Sequence, residues 1–176
     1  MSTVDLLTFQ TEHAYRWVDK LIEEVPTDRW SDTPTGVETN VSWQVGHLTL
    51  SYYYHTIMVI RGHQSDLLQT LPVALYDKLF NYRKGSPVEA ARAIDPKDLQ
   101  QHQLIMRQRS LDIIASVKEA ELELPLEPVG PTHPIASTKF EAIDWNVKHT
   151  MWHCGQLALL RRVLIGGYDF GLQPSG

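Results

Sequence analysis

Two histidines near the end of the chain have the spacing of paired metal ligands. His149 and His153 lie four residues apart in the stretch IDWNVKHTMWHCGQLALLRRVLIGG, which is predicted to form one long helix. Each helical residue advances by about 100°, so the two imidazoles lie about 40° apart on one face and can both reach one ion. A catalytic metal usually has three protein ligands and an open position, so this pair needs a third ligand. Hydrogen-bonded core histidines explain the same spacing, and the pair alone leaves both interpretations open.

The best candidate for the third ligand is His47. It lies midway along a second predicted helix, VSWQVGHLTLSYYYHTIMVI, among apolar and aromatic residues. The axes of packed helices are about 8–10 Å apart, so imidazoles from two facing helices can close that gap around one ion. His55 is about 80° around the helix from His47, and the spacing predicts a poor ligand. The residues themselves leave a metal site and separate core histidines as alternatives.

Helical spacing also predicts the neighbours of this site. Gln44 and Tyr54 share the face of His47, three residues before it and seven after it. Asn146 and Gln156 flank the later pair, where either can orient a ligand imidazole through its second ring nitrogen. An ordinary hydrogen bond on the helix surface or between helices is the alternative for both.

Several other residues have chemistry to offer but weaker patterns. The tryptophans are predicted to be core residues that can also wall a pocket: Trp43, Trp145 and Trp152. Cys154 is predicted to be a small buried residue, and Gly155 to let another helix pack closely. The sequence leaves the roles of three residues open: His13, His102 and Arg109. His133, between Thr132 and Pro134, is predicted to be a structural loop residue.

Four long helices must position these side chains. The apolar spacing and the end signals predict helices over Thr3–Val25, from the cap Asn40 to near Gly62, from Asp95 to about Leu122, and from Thr138 to Gly166. About thirty residues with short helical pieces connect the second helix to the third. We therefore predict an all-α fold, a four-helix bundle with a long crossover between helices 2 and 3, which would let those two helices run in the same direction. Residues 1–176 are predicted to form one domain.

Composition limits the classes of partner. The formal net charge of −5 gives no electrostatic reason to expect binding to nucleic acid or to an anionic membrane. No run of about 18 apolar residues is present, and the single cysteine forms no intrachain disulfide, so we expect a cytoplasmic protein. The motifs of di-iron bundles, His-Glu-x-x-His zinc enzymes, Gly-x-Ser-x-Gly hydrolases and phosphate-binding glycine loops are absent from the sequence.

Two stretches resemble a known family. HTMWHCGQLALLRR resembles the final-helix motif of the DinB/YfiT-like family, whose members carry His-x-x-x-His-x-Gly-Gln there. SWQVGHL is similar to that family's second-helix motif, a tryptophan shortly before a single histidine and then an aliphatic residue. Trp152 stands where relatives often have another histidine, which does not affect a ligand position.

The resemblance implies a four-helix bundle with a divalent metal held by His47, His149 and His153. Zinc is the preferred ion, with nickel, iron or manganese as alternatives. Characterised relatives include metal-dependent transferases of low-molecular-weight thiols, so the implied function is a metal-dependent thiol transferase acting on a small-molecule substrate. A hydrolase that uses metal-bound water and a non-catalytic metal-binding or small-ligand-binding protein are the alternatives. Relatives are often dimers, and the aromatic residues of the second helix permit a homodimer without requiring it.

Overall fold

The computed structural model describes residues 1–171. Within them lie seven helices: α1 (Thr3–Ile22), α2 (41–61), α3 (Ser65–Thr70), α4 (Val73–Phe80), α5 (Pro87–Ala90), α6 (Pro96–Ser116) and α7 (Lys139–Leu164). Helix α2 runs through three consecutive segments, α-helical Val41–Tyr52, π-helical Tyr53–Met58 and α-helical Val59–Arg61. Residues 1–171 contain no β-strand, which confirms the predicted all-α class. The one-domain assignment over residues 1–176 stays a prediction.

Three of the long helices begin where polar side chains satisfy their first backbone N–H groups. Asn40 accepts from the N–H of Trp43 at 2.9 Å, and the side chain of Asp95 caps α6 in the same way. Thr138 and Glu141 form a reciprocal capping box at the start of α7. These three starts confirm the positions that the sequence predicts.

The crossover lets α2 and α6 run in the same direction. Thr56 donates to the Ser110 hydroxyl at 2.7 Å, and Arg61, further along α2, donates to the carbonyl of Ser116, further along α6. The contacts advance together along both helices, so the predicted parallel pair is confirmed. Helices α3, α4 and α5 occupy the connection between them.

Helix α7 runs antiparallel to α2, and this contact positions the histidines. Gln44, near the start of α2, donates to Gln156, and Lys139, at the start of α7, donates to the carbonyl of Ile60 near the end of α2. The middle of each helix therefore faces the middle of the other. His47 on α2 meets the later two histidines on α7 in this region.

The first and third long helices end earlier than the sequence predicts. Helix α1 ends at Ile22 and α6 at Ser116. After Ser116 the backbone becomes extended, and a short 3-10 turn follows over Glu119–Glu121. Glu121 accepts from the guanidinium of Arg61 at 2.7 Å, which fastens this turn to α2. This tertiary ion pair replaces the last helical turn expected near Leu122.

Two predictions for α7 are wrong, and one is confirmed. Trp152 is 64% exposed on the outer face of the helix, because that position points away from the other helices. A Cβ atom on Gly155 would meet no atom within 4 Å, so this glycine does not serve close helix packing. Cys154 is buried as predicted. No helix in the described part of the chain has the length and apolar character needed to cross a bilayer.

Candidate metal centre

His47 from α2 and His149 and His153 from α7 converge in the interior of the bundle. One nitrogen from each of the three side chains lies within 4.8 Å of the other two. The ring centroids are 5.3 Å apart for His47 and His149, 4.7 Å for His47 and His153, and 4.5 Å for His149 and His153. His47 and His153 are buried, whereas His149 is partly exposed and lies on the side that solvent reaches.

The ring of His47 is held from two sides. Its Nδ1 lies 2.7 Å from the carbonyl oxygen of Phe80, the last residue of α4. A carbonyl only accepts, so Nδ1 donates and the lone pair of the neutral ring is on Nε2. The indole of Trp43 stacks on the imidazole, with centroids 4.7 Å apart and planes 6° apart. Together these contacts fix both the tautomer and the orientation of His47.

Gly46 allows α4 to come this close to α2. A Cβ atom at position 46 would lie 2.5 Å from ring carbons of Phe80, well inside van der Waals contact. Only a glycine at position 46 leaves room for the Phe80 ring. The backbone carbonyl of the same Phe80 accepts the hydrogen bond from Nδ1 of His47. The short crossover helix is therefore part of the site.

A chain of amide groups orients His153. Its Nδ1 lies 2.6 Å from Oε1 of Gln44 and donates to it. The amide nitrogen of Gln44 donates in turn to Oε1 of Gln156 at 2.7 Å and to the hydroxyl of Thr39 at 2.9 Å. Because the amide has donors committed to these two oxygens, its own oxygen must face His153. The Nε2 lone pair of His153 is then directed into the cluster.

The third ring, His149, has a nitrogen in the cluster and one outside it. The Nε2 atoms of His149 and His153 are 3.1 Å apart. Two nitrogens bound to one tetrahedral zinc ion at about 2.0–2.1 Å would be about 3.3–3.4 Å apart, so the observed separation fits a shared ion closely. Nδ1 of His149 is buried and has no hydrogen-bond partner among the described residues.

Burial keeps these imidazoles neutral. It lowers the pKa of His149 to about 3 and that of His153 to about 2, with the neighbouring imidazoles adding to the effect in each case. Burial also lowers the pKa of His47, partly opposed by its hydrogen bond to Phe80. Three neutral nitrogen donors with free lone pairs are the donor set that zinc and other borderline divalent ions prefer.

Comparison with known proteins gives this arrangement a family. A family model described as the DinB superfamily matches residues 10–157, which include all three histidines. The chain belongs to the DinB superfamily. A solved structure described as a conserved protein from Enterococcus faecalis has a TM-score of 0.70 and 15% identity, and the match covers 94% of this chain and 99% of that chain. At that identity the likeness shows the fold alone. None of the curated proteins matches this chain significantly.

Other predicted neighbours lie at different distances from the centre of this DinB protein. Gln44 contacts His153 directly, and Gln156 acts only through Gln44. Asn146 instead donates to the Tyr15 hydroxyl at 3.1 Å and makes no hydrogen bond to the three histidines within the described residues. Tyr54 donates to the carbonyl of Pro131 at 2.9 Å and stacks on His133, to one side of the cluster.

The residues whose roles the sequence leaves open lie outside the cluster of this DinB protein. His13 is exposed and packs against Phe9, with the two rings tilted by 38°. His102 contacts the Tyr76 hydroxyl at 2.9 Å. Arg109 forms an ion pair with Asp66 on α3. Each of the three residues therefore has a contact of its own away from the cluster.

Two further histidines, His55 and His133, lie beside the centre at positions that the sequence does not predict. The π-helical segment Tyr53–Met58 contains an extra residue in its turn, so rotation along α2 falls behind the regular 100° per residue. His55 is thereby brought inward, with its ring centroid 5.3 Å from that of His149. Its Nδ1 lies 2.8 Å from Nε2 of His133, which belongs to the loop before α7. No sequence signal predicts the wide turn or the path of this loop.

Ser51 is a third neighbour of the centre, beside His55 and His133. Its hydroxyl is 3.5 Å from Nε2 of His47, at the limit of a hydrogen bond. The spacing of four residues from His47 places it on the same helical face and is a signal that was present. The described centre of this DinB protein thus consists of imidazoles, amides and a hydroxyl.

Proposed function

We propose that this protein binds one divalent cation, zinc by preference, through Nε2 of His47, His149 and His153, and that it is a metal-dependent transferase of a low-molecular-weight thiol. The observation that supports it best is the convergence of three neutral imidazoles, two of them fixed by hydrogen bonds from Nδ1. Such hydrogen bonds are the usual means by which proteins orient metal ligands. Membership of the DinB superfamily agrees with this proposal.

A divalent ion held by His47, His149 and His153 would keep its full positive charge, because the three imidazoles are neutral, and would supply the means to lower the pKa of a bound thiol. The protein's own contribution is to hold three rings in place and to exclude water on the buried side, where His47 and His153 lie. Partly exposed His149 marks the side from which a small molecule enters. The reaction joins the thiol sulfur to an electrophilic carbon, expels the leaving group with its electron pair and releases the thiol proton.

The lack of a nearby carboxylate favours a thiol over water as the nucleophile. Within residues 1–171, no hydrogen bond links a carboxylate to any of the three histidines. A free thiol has a pKa of about 8.5, whereas that of bulk water is about 15.7. A thiol therefore needs much less help from a general base than water does.

The first experiment is metal analysis of protein purified without an affinity tag, since a nickel column can load such a site. We expect one equivalent of a divalent metal, and less than about 0.1 equivalent in the His153→Ala variant, because two imidazoles rarely hold a catalytic metal. Wild-type protein without metal after dialysis against zinc would contradict the site itself.

The second experiment tests the reaction. Metal-loaded protein is incubated with monochlorobimane and a panel of small thiols, and in parallel with ester and amide substrates. The proposal expects metal-dependent formation of the thioether, with release of chloride, and no comparable hydrolysis. Hydrolysis without thiol transfer would assign a hydrolase, and tight metal retention without turnover would assign a binding protein.

A further inference from the structure

The tautomer of His133 is fixed by the backbone of its own loop. Its Nδ1 accepts from the N–H of Ala136 at 2.8 Å and lies 3.2 Å from the N–H of Ile135. A ring nitrogen that accepts from backbone donors carries no proton, so the proton of neutral His133 is on Nε2.

That assignment determines the tautomer of His55 in turn. Nε2 of His133 is 2.8 Å from Nδ1 of His55, so His133 donates and His55 accepts. With Nδ1 of His55 accepting, the ring proton of His55 must be on Nε2. The loop before α7 therefore makes His55 a hydrogen-bond donor through Nε2 and prevents it from accepting there.

This donor lies beside the metal centre and has no protein acceptor. His55 is only 7% exposed, and its ring centroid is 5.3 Å from that of His149. Its Nε2 makes no hydrogen bond within the described residues, and no hydrogen bond there links a carboxylate to any of the five clustered histidines. Nε2 is not fully enclosed by protein atoms, so a molecule that enters the centre can reach it and supply the missing acceptor.

We propose that His55 donates through Nε2 to a carboxylate of the substrate that enters the metal centre, and so positions it beside His149. The acceptor is a carboxylate because the surroundings offer N–H donors and, with an ion bound, positive charge, but no competing anion. The inference rests on the proposed function in one respect, since the carboxylate belongs to a molecule that binds at the metal.

The test uses cobalt(II)-loaded protein and two thiols of similar size, 3-mercaptopropionate and 1-propanethiol. Both report binding through the sulfur-to-cobalt absorption band, and only the first carries a carboxylate. We expect wild-type protein to prefer 3-mercaptopropionate, and His55→Leu to lose roughly 10-fold or more of that preference. His55→Gln is the matched control, because its side-chain amide keeps an N–H donor and is expected to retain most of the preference.

The outcomes separate this inference from the proposed function. An equal preference in wild-type protein and His55→Leu, with cobalt stoichiometry unchanged, overturns the role of His55. If neither thiol produces the band, thiol binding to the metal fails, and His55 is then judged with acetate through its effect on the visible spectrum of cobalt. Weaker acetate binding in His55→Leu supports the inference, and unchanged binding overturns it.

A second variant keeps the test decisive if His55→Leu does not fold. His133→Asn retains an oxygen that can accept from the loop backbone but removes the donor that fixes His55. We expect this variant to hold cobalt normally and to bind 3-mercaptopropionate more weakly, with 1-propanethiol unaffected. An unchanged ratio of the two thiols in His133→Asn overturns the inference by itself.

Discussion

Replacing Gly46 by alanine tests whether the crossover helix α4 orients His47, one of the three proposed metal ligands. The new Cβ would lie 2.5 Å from ring carbons of Phe80. Carbon atoms pack at about 3.5–4.0 Å, so the ring must withdraw by roughly 1 Å. The carbonyl of Phe80 is 2.7 Å from Nδ1 of His47, and a similar withdrawal stretches this hydrogen bond beyond its useful range.

The magnitude follows from the buried donor that this shift leaves behind. A buried polar group without its partner costs about 1–3 kcal/mol, which corresponds to roughly 5- to 150-fold in a binding constant. Removing groups that orient metal ligands typically costs about 10- to 100-fold in metal affinity. We therefore expect Gly46→Ala to bind zinc about 10- to 100-fold more weakly, as measured by competition with a chromophoric chelator.

Gly155 provides the matched control. It also lies within a helix close to His149 and His153, but a Cβ atom there would meet nothing within 4 Å. Gly155→Ala should bind zinc as the wild-type protein does and gain about 0.5–1 kcal/mol of stability from the better helix former. A folded Gly46→Ala protein with wild-type zinc affinity would show that the carbonyl of Phe80 does not orient His47.

Three further predictions test the surroundings of the centre. Gln44→Leu leaves Nδ1 of His153 without its acceptor, so zinc affinity should fall by about 10- to 100-fold in the same chelator assay. An unchanged affinity would show that Gln44 does not orient His153 for zinc binding. His149 and His153 have folded-state pKa values of about 3 and 2, below the unfolded value of 6.5, so the unfolded chain binds more protons between these limits. The metal-free protein should thus be most stable above pH 6.5, and its free energy of unfolding should fall by about 1.4 kcal/mol per pH unit for each of these histidines as the pH is lowered. Urea unfolding at pH 7, 6 and 5 measures this, and a free energy that does not change with pH would contradict the burial of these histidines as neutral rings. The side chain of Trp152 is 64% exposed, so Trp152→Ser should change the free energy of unfolding by less than about 0.5 kcal/mol and leave zinc binding intact. A large loss of stability or of zinc binding would mean that the outer face of α7 around Trp152 is covered.

The sequence predicts the features of this protein that depend on local patterns. The caps at Asn40 and Thr138 use side chains within three residues of the groups they satisfy, so the helix starts are readable in advance. The pair His149 and His153 shares a face because α7 is a regular helix there. The length of the connection between α2 and α6 permits their parallel arrangement, and this length can be read from the sequence.

The features that the sequence does not predict depend on distant contacts. The rotation of His55 toward the cluster requires the π-helical turn, which no local pattern marks. The approach of Phe80 to His47 depends on packing across Gly46, and the position of His133 depends on backbone donors in a loop. The early end of α6 depends on Arg61, far away in the chain. In each case a tertiary interaction overrides the local preference.

The antiparallel contact of α2 with α7 has a thermodynamic consequence. His47 and His149 are separated by about a hundred residues of chain, so one ion bound to both fastens the first half of the protein to the second. A ligand that binds only the folded state stabilises it by mass action, and an ion present at a thousand times its Kd adds about 4 kcal/mol. Scarcity of that ion would then shorten the lifetime of the folded protein as well as emptying its centre, and the amount of intact protein would follow the supply of metal.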